Sequence, residues 1–340
     1  MSARITTEEL SAALEEALAQ RLGQPVAIER LERRPCPYAT SFPLEELDAM
    51  TARGDALRLV FKDLSRESLS PPVQNVKPEL LHDPLREIDC YRDLLEPAEL
   101  GTAACYGAAV DSARGRYWLF IENVPGVALW QIGELETWQA AASWLARMHE
   151  RFAADGAWRS HTGHLVHHDA AFYRRWPERA MELARRNGAS AEELAALERV
   201  AGRYERVVER LTSLPTTFIH GEFYPSNILV AGEGGTPRIC PVDWELAGVG
   251  PGLVDLAALT TGGAKGWSLE DRHSIALAYR EDGDSAGLRL PEGEFEQALD
   301  CCRLHLALQW LGWAADWTPP EEHRQDWLGE ALRVAARLGL

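Results

Sequence analysis

Two short stretches in the second half of the chain constrain its fold more than any other feature. In the first, an apolar lead-in at 217–219 precedes a polar loop that holds His220, Glu222 and Asn227, and an apolar run follows the loop. The second is a short β-like run that ends in Asp243, sixteen residues after Asn227. The pattern predicts two loops, each attached to a buried strand, that present carboxylate, amide and imidazole groups.

This set of side chains has the chemistry that phosphoryl transfer requires. A carboxylate such as Glu222 can orient an attacking hydroxyl, while an amide oxygen and a second carboxylate, from Asn227 and Asp243, can hold Mg²⁺ against phosphates. The two stretches resemble the catalytic loop and the metal-binding loop of the aminoglycoside phosphotransferase and choline kinase-like family, distant relatives of protein kinases. The resemblance implies that His220 braces the catalytic loop. It also makes Glu245 a candidate residue of the site, either as a substrate contact or as a support for the metal ligands.

One position departs from the family pattern. The family's loop reads His-x-Asp with Asn five residues after the Asp, whereas Glu222 stands at the position of that Asp. Glutamate keeps the charge, but its extra methylene moves the carboxylate by about 1 Å, which can cost on the order of 100-fold in rate. A site reshaped around glutamate can still work, because phosphoryl transfer depends mostly on positioning and electrostatics. We therefore expect an active phosphotransferase, with a nucleotide-binding pseudokinase or scaffold as the alternative.

The first part of the chain holds a candidate lysine–glutamate pair. Its strand patterns lie at 26–33, 42–50 and 56–61. Lys62 follows the third of them directly, and Glu87 begins a helix pattern twenty-five residues later. A lysine at a strand end is usually a surface residue. In kinase-like folds, however, a strand lysine contacts the α- and β-phosphates and is held by a helix glutamate. The resemblance therefore implies that Lys62 and Glu87 form this pair.

Two further segments are candidate nucleotide contacts. The turn between the first two strands has no glycine, so the hydroxyls of Thr40 and Ser41 are the candidate phosphate donors, with an ordinary hairpin loop as the alternative. Two more strand patterns lie at 103–111 and 116–122, and the second ends at a Pro-Gly turn. This order resembles the hinge between kinase lobes, where the backbone from Glu122 to Val124 would hydrogen-bond adenine.

The fold class follows from the order of these patterns. Five antiparallel strands with one helix between the third and fourth precede a long helical part, in which one helix is predicted from about residue 190 to 211. The resemblance spans roughly residues 26–340. It implies an α+β, two-lobed protein-kinase-like fold with a small antiparallel-sheet N-lobe and a mostly helical C-lobe. We expect an accessory helix at 1–24, a nucleotide-binding N-lobe at 25–123 and a catalytic and substrate-binding C-lobe at 124–340.

The histidine-rich segment at 161–169 is the candidate acceptor region. Four histidines and an aspartate lie within nine residues, but no regular helical spacing puts three nitrogens on one tetrahedral metal, so a surface loop or substrate wall is favoured. In the family, the insertion before the catalytic loop lines the acceptor pocket. Asp169, Tyr173 and Arg174 are therefore candidate substrate contacts. Further on, Asp255 lies in a stretch similar to the family's Gly-Pro-x-x-x-Asp-Leu-Ala, where the Asp binds backbone N–H groups of the catalytic loop.

Composition restricts the partners. The net charge of −17 argues against nucleic acid and suits either a cationic substrate or simply a solvated acidic surface. No apolar run approaches the roughly 18 residues of a membrane span, and the N-terminus leads into a helix pattern rather than a signal peptide. The six cysteines form no Cys-x-x-Cys pair, which favours buried thiols over disulfides. We expect a cytoplasmic protein that binds neither membrane nor nucleic acid.

Together these features predict a transferase that moves the γ-phosphate of ATP, with Mg²⁺, to an alcohol group. The first candidate acceptor is a small molecule, such as an amino sugar or another natural product. The alternative is a Ser or Thr hydroxyl of a peptide, since kinase-like members of this family also serve in modified-peptide biosynthesis together with a partner lyase. The acceptor and the choice of ATP over GTP stay open at this stage.

Overall fold

The computed structural model describes residues 5–37, 41–74, 78–232, 237–261, 266–283, 290–313 and 325–340. The chain divides into two compact units, Met1–Pro125 and Gly126–Leu340. The elements of the first unit are α1 (Thr7–Leu22), β1 (Ile28–Pro35), β2 (Leu44–Thr51), β3 (Ala56–Asp63), α2 (Pro71–Gln74), α3 (Arg86–Asp89), α4 (Glu96–Ala98), β4 (Cys105–Asp111) and β5 (Arg116–Glu122). The elements of the second unit are β6 (Gly126–Ala128), α5 (Leu135–Ala154), β7 (Val166–His167), α6 (Ala170–Arg186), α7 (Ala191–Arg203), α8 (Glu205–Ser213), β8 (Thr216–Ile219), β9 (Ile228–Ala231), β10 (Arg238–Pro241), β11 (Gly248–Pro251), α9 (Leu253–Thr261), α10 (Leu269–Asp282), α11 (Glu292–Leu311) and α12 (Trp327–Arg337).

The first unit is built on an antiparallel sheet of five strands in the order β1-β2-β3-β5-β4. Side chains of β2 alternate between buried and partly exposed along the second half of the strand, as the period-2 pattern requires. All five predicted strands form, and each begins or ends within about two residues of the boundary that the sequence pattern gives. The predicted helix lies between β3 and β4, so this part of the fold prediction is confirmed.

Helix α1 packs on one face of this sheet. Thr6 and Glu9 form a reciprocal capping box at its start, and Gly23 ends it in the left-handed conformation. Its buried leucines and the sheet residues form one core cluster: Leu10, Leu14, Leu18, Leu47, Leu59, Phe61, Trp118 and Phe120. Full burial of one leucine stabilises a fold by about 1.5–3 kcal/mol. The helix therefore contributes directly to the core of the first unit.

A helical segment connects β3 to β4 and changes its winding midway. It begins as α3, continues through the π-helical turn Cys90–Leu95 and ends as α4. Glu87 and Ile88 are buried in its first turn, and Tyr91 is buried in the π-helical turn. Such wider turns often occur at functional sites, and this one lies one turn beyond Glu87.

The second unit is mostly helical. Helix α5 packs against α10, and α11 packs against α6, α9 and α12. Two small sheets, with the strand orders β10-β9-β6 and β7-β11-β8, carry the loops of the candidate site. Within the described ranges, no helix has the length and apolar character needed to cross a membrane. The thiols of Cys90, Cys105, Cys301 and Cys302 are buried and form no disulfide.

The prediction of one long helix up to residue 211 is wrong. The chain forms α7 and α8, which are separated at Tyr204. The Tyr204 ring is buried, and its hydroxyl lies 3.2 Å from Nδ1 of His305 on α11. Tyr204 keeps helical backbone angles, with φ −64° and ψ −19°, so the interruption is confined to one residue that contacts α11.

Candidate active site

The antiparallel hairpin of β9 and β10 brings the two candidate metal ligands together. Ile228, the first residue of β9, pairs with Pro241, the last residue of β10. Asn227 therefore lies immediately before one strand, and Asp243 lies two residues after the other. Beyond the last strand pair, the N–H of Val242 donates to the carbonyl of Asn227 at 2.8 Å. Strand register thus places an amide and a carboxylate at the same end of one hairpin.

The amide of Asn227 is oriented by its own loop. Its Nδ2 donates to the carbonyl of Glu222 at 3.0 Å, which leaves Oδ1 as the amide atom that can bind a cation. Asp243 has a φ of +66°, a conformation that aspartate tolerates better than most residues and that is common at functional sites. An amide oxygen and a carboxylate are hard ligands, so these residues fit Mg²⁺. No group of three or more His, Cys, Asp or Glu suited to a metal occurs among the described residues.

His220 joins the two loops and is fully buried. Its Nδ1 accepts the N–H of Glu222 at 3.2 Å, and its Nε2 donates to the carbonyl of Val242 at 3.0 Å. Burial lowers the pKa of His220, and this effect outweighs the opposing charge of Asp255. The ring is therefore neutral, with its proton on Nε2, and both nitrogens are engaged by backbone groups. This arrangement suits a brace between the loops.

Asp255, on α9, anchors the start of the catalytic loop. Its Oδ2 accepts the N–H of His220 at 2.7 Å, and its Oδ1 accepts the N–H of Gly221 at 2.8 Å. Its side chain is completely buried. Gly221 has a φ of +83°, and a Cβ at this position would overlap the carbonyl oxygen of Leu246, so no other residue fits without a shift. The loop backbone is therefore held from both sides.

Aromatic packing supports the loop that contains Asp243. Trp244 is fully buried, stacks on Phe218 with ring centroids 5.6 Å apart and contacts His220 with centroids 4.4 Å apart. Glu245 follows and is only 7% exposed. A carboxylate that is so well covered needs polar partners, which suits a supporting position better than a freely accessible substrate contact.

In the first unit, Lys62 and Glu87 form an ion pair. Lys62 is the last residue but one of β3 and pairs with Leu119 of β5, and its Nζ lies 2.7 Å from Oε2 of Glu87. The Nζ also lies 5.3 Å from the centroid of the Phe42 ring, a cation–π contact. The two charged side chains are only 7% and 2% exposed. Such a pair is costly to bury unless its geometry is good, which makes a role beyond stability plausible.

The structure describes some of the other predicted nucleotide contacts and not others. Thr40 lies outside the described residues, and Ser41 accepts the N–H of Ser70 at its carbonyl, at 2.9 Å. The N–H of Glu122 donates to the carbonyl of Ala104 at 2.8 Å. That N–H is therefore engaged within the first unit, and the N–H of Asn123 likewise donates to the carbonyl of Arg58, at 3.1 Å.

The three predicted acceptor residues lie together at the N-terminal end of α6. Asp169 caps α6 by accepting the N–H of Phe172 at 2.7 Å. Tyr173 is completely buried beside His305, with ring centroids 4.7 Å apart. Arg174 is exposed and pairs with Glu205 of α8, with its Nε 2.9 Å from Oε2. Their described contacts thus belong to α6, α8 and α11 rather than to the catalytic loop.

Sequence reasoning missed an aromatic contact of the catalytic loop. The Nε1–H of Trp310, on α11, donates to the hydroxyl of Tyr224 at 2.8 Å. Trp310 also stacks on Trp327, with ring centroids 5.1 Å apart. The helical pattern of this segment is compatible with a buried tryptophan. No spacing in the sequence, however, connects Trp310 to a loop more than eighty residues earlier.

Three comparisons place the chain among known proteins. The model of the phosphotransferase enzyme family matches residues 58–291. No curated protein sequence matches. Among solved structures, a microcompartment-associated aminopropanol kinase is 17% identical with a TM-score of 0.57, and 90% of each chain is covered.

Two further solved structures are similar over nearly their full length. The GDP complex of aminoglycoside 2′-phosphotransferase-IIIa is 13% identical with a TM-score of 0.55, covering 95% of this chain and 96% of the other. A macrolide 2′-phosphotransferase from Brachybacterium faecium is 19% identical with a TM-score of 0.52, covering 92% and 99%. At these identities the similarity shows the fold alone. The predicted α+β protein-kinase-like fold is thereby confirmed, and because the family model matches more than half of the chain, the protein belongs to the phosphotransferase enzyme family.

Proposed function

We propose that this protein is a kinase that transfers the γ-phosphate of Mg·ATP to a hydroxyl of a small molecule. One observation carries the proposal. The β9–β10 hairpin sets Asn227 and Asp243 at one end, while the Nδ2 of Asn227 is held by the carbonyl of Glu222. A single backbone unit therefore presents two hard oxygen ligands and, beside them, a carboxylate that can orient an attacking hydroxyl.

Each remaining residue has a role that its contacts support. Glu222 would accept a hydrogen bond from the acceptor hydroxyl and take its proton as transfer proceeds. His220, neutral and engaged at both nitrogens, would keep the two loops in register rather than move protons. Lys62, held by Glu87, would bind the α- and β-phosphates, and Val124 would donate its backbone N–H to adenine.

Asn227 and Asp243 would hold the magnesium ion. When bound, Mg²⁺ would neutralise negative charge on the phosphates. Glu245 lies two residues from Asp243 and is almost completely buried, so we assign it a supporting position beside this ligand. Ser41 and Thr40 remain candidate phosphate donors.

We propose an amino alcohol or amino sugar as the acceptor. Solved structures of similar fold include an aminopropanol kinase and an aminoglycoside phosphotransferase, whose names specify amine-bearing substrates. The net charge of −17 gives the chain a field that attracts a cationic acceptor. Buried cysteine thiols and the need for ATP suit a cytoplasmic enzyme.

Transfer of labelled phosphate tests the proposal. The purified protein is incubated with γ-labelled ATP or GTP, Mg²⁺ and a panel of amino alcohols, amino sugars, macrolides and Ser- and Thr-containing peptides. We expect label on a small-molecule hydroxyl, dependence on Mg²⁺, and loss of at least about 100-fold in Asp243→Ala. Asp282→Ala, on an aspartate of α10 that is about half exposed, is the matched control and should keep full activity.

The competing readings give different results in the same assay. Label on a peptide but on no small molecule would replace the proposed acceptor with a peptide hydroxyl. The protein could also bind nucleotide but transfer phosphate to every acceptor no faster than Asp243→Ala does. That result would contradict the kinase proposal and indicate a nucleotide-binding scaffold.

A further inference from the structure

A buried chain of hydrogen bonds connects α10 to the catalytic loop. The hydroxyl of Tyr279 on α10 lies 2.9 Å from Nδ1 of His149 on α5. The Nε2 of the same ring lies 3.2 Å from Oδ2 of Asp255. Asp255 in turn accepts the backbone N–H groups of His220 and Gly221. Tyr279 is thus three contacts away from the backbone that precedes Glu222.

The direction of each hydrogen bond follows from chemistry. Both oxygens of Asp255 already accept backbone N–H groups, so the Nε2 of His149 is the donor to this carboxylate. The hydroxyl of Tyr279 is the partner of Nδ1, the other ring nitrogen. Burial raises the pKa of Tyr279, so this hydroxyl keeps its proton. The tyrosine therefore holds the ring at its second nitrogen while Nε2 is directed at Asp255.

Close packing leaves these groups little freedom. The side chains of His149 and Asp255 are completely buried, and Tyr279 is 7% exposed. A Cβ on Gly252 would lie 2.5 Å from Nδ1 of His149 and 2.8 Å from the hydroxyl of Tyr279, so a glycine is required at this position for the pair to meet. The backbone carbonyl of His149 also accepts the hydroxyl of Thr217, at 2.9 Å.

We propose that Tyr279 is a positioning residue for phosphoryl transfer. By fixing the ring orientation of His149, it completes the donor set around Asp255 and so holds the backbone of His220 and Gly221 in the geometry that Glu222 needs. The catalytic part of this inference rests on the proposed kinase function. The structural part does not, because the order of the loop backbone can be measured without any reaction.

The chain offers a matched control for the key variant. Tyr204 is also a buried tyrosine that contacts a buried histidine, since its hydroxyl lies 3.2 Å from Nδ1 of His305. None of the contacts described for that pair leads to the catalytic loop. Tyr279→Phe and Tyr204→Phe each remove one hydroxyl from a tyrosine–histidine pair, so their difference isolates the connection to Asp255.

Hydrogen exchange and kinetics test the proposal together. Exchange of the backbone amides of His220 and Gly221 is followed by NMR, and the ¹⁵N shift of the His149 Nδ1 reports its hydrogen bond. We expect Tyr279→Phe to accelerate exchange of both amides about tenfold and to change the Nδ1 shift, whereas Tyr204→Phe changes neither. In the kinase assay, Tyr279→Phe should lower kcat about tenfold and leave KM for ATP within about twofold.

A second variant shows whether the effect passes through the imidazole. In His149→Gln the amide of glutamine can donate to Asp255 without a tyrosine, so adding Tyr279→Phe should change exchange and kcat no further. Additive losses, or equal exchange in Tyr279→Phe and Tyr204→Phe, would overturn the proposal. Accelerated exchange only in Tyr279→Phe, in a protein that transfers no phosphate, would leave the positioning of the loop intact and reject the kinase function instead.

Discussion

The buried pair of Lys62 and Glu87 allows stability and function to be separated. Lys62→Met keeps the length of the side chain and removes its charge, which leaves the carboxylate of Glu87 without this cation. With side chains only 7% and 2% exposed and an N–O distance of 2.7 Å, water can screen little of this loss. Removal of one partner of such a pair costs about 3–5 kcal/mol in the free energy of unfolding.

The double variant Lys62→Met/Glu87→Leu removes both charges and should recover most of that stability. Replacement of a buried ion pair by apolar residues is often neutral or stabilising, because both desolvation penalties disappear. We nevertheless expect the double variant to transfer no phosphate, since the ammonium that we propose to bind the phosphates is absent. Stability would return while activity would not.

Hydrogen exchange of amides in β3 and β5 is the suitable assay, because it reports on the first unit even if the two units unfold separately. Arg92→Met is the control: this arginine pairs with Asp89 at 58% exposure, so its removal should cost less than about 1 kcal/mol. A double variant no more stable than Lys62→Met would refute the reasoning, because a buried unpaired charge would then not be the cause of the loss.

Three further predictions concern the second unit. Gly221→Ala, whose methyl would overlap the Leu246 carbonyl, should lower the unfolding free energy by at least about 2 kcal/mol in urea titration, whereas Gly188→Ala, at a φ of +80° in open space, should cost only about 1 kcal/mol. Glu222→Asp should keep part of the phosphate-transfer rate and Glu222→Ala should lose most of it; equal rates for Glu222→Ala and the unchanged protein would remove Glu222 from the mechanism. Burial lowers the pKa of His168 from 6.5 to about 4. The unfolded chain therefore takes up this proton first, so about 3 kcal/mol of stability should be lost as the pH falls from 6.5 to 4, and His168→Gln should reduce that loss measurably in urea titrations at both pH values.

The proximity of Asn227 and Asp243 could be predicted because it depends on local geometry. Each residue flanks a short apolar run, and two such runs close together in sequence form a hairpin whose ends must meet. The pairing of Lys62 with Glu87 is different, because no local rule connects a strand end to a helix twenty-five residues later. That contact was predictable only through the resemblance to kinase-like folds, and the structure supplies its distance and burial.

Contacts that depend on three-dimensional packing could not be read from the sequence. Tyr279 lies on a helix whose position beside α5 is set by the core, so its bond to His149 has no signature in residue spacing. The break between α7 and α8 was not predictable either. Tyr204 fits a continuous helical pattern in the sequence, and its contact with His305 on α11 is visible only in the structure. For Asp169 the sequence predicted a substrate contact from its position in the family, and the structure adds that one oxygen of its carboxylate caps α6.

The backbone hydrogen bonds of Glu222 restrict how a glutamate can occupy the position at which the family has an aspartate. Its N–H donates to Nδ1 of His220, and its carbonyl accepts both the N–H of Tyr224 and the Nδ2 of Asn227. The backbone of this residue is therefore held on both sides and cannot retreat to absorb the extra methylene. Any adjustment must come from the torsions of the side chain itself, which has one more rotatable bond than that of an aspartate. If the site works with glutamate, the acceptor must therefore bind farther from the loop backbone by about the length of one methylene, and Glu222→Asp should raise KM for the acceptor more than it lowers kcat.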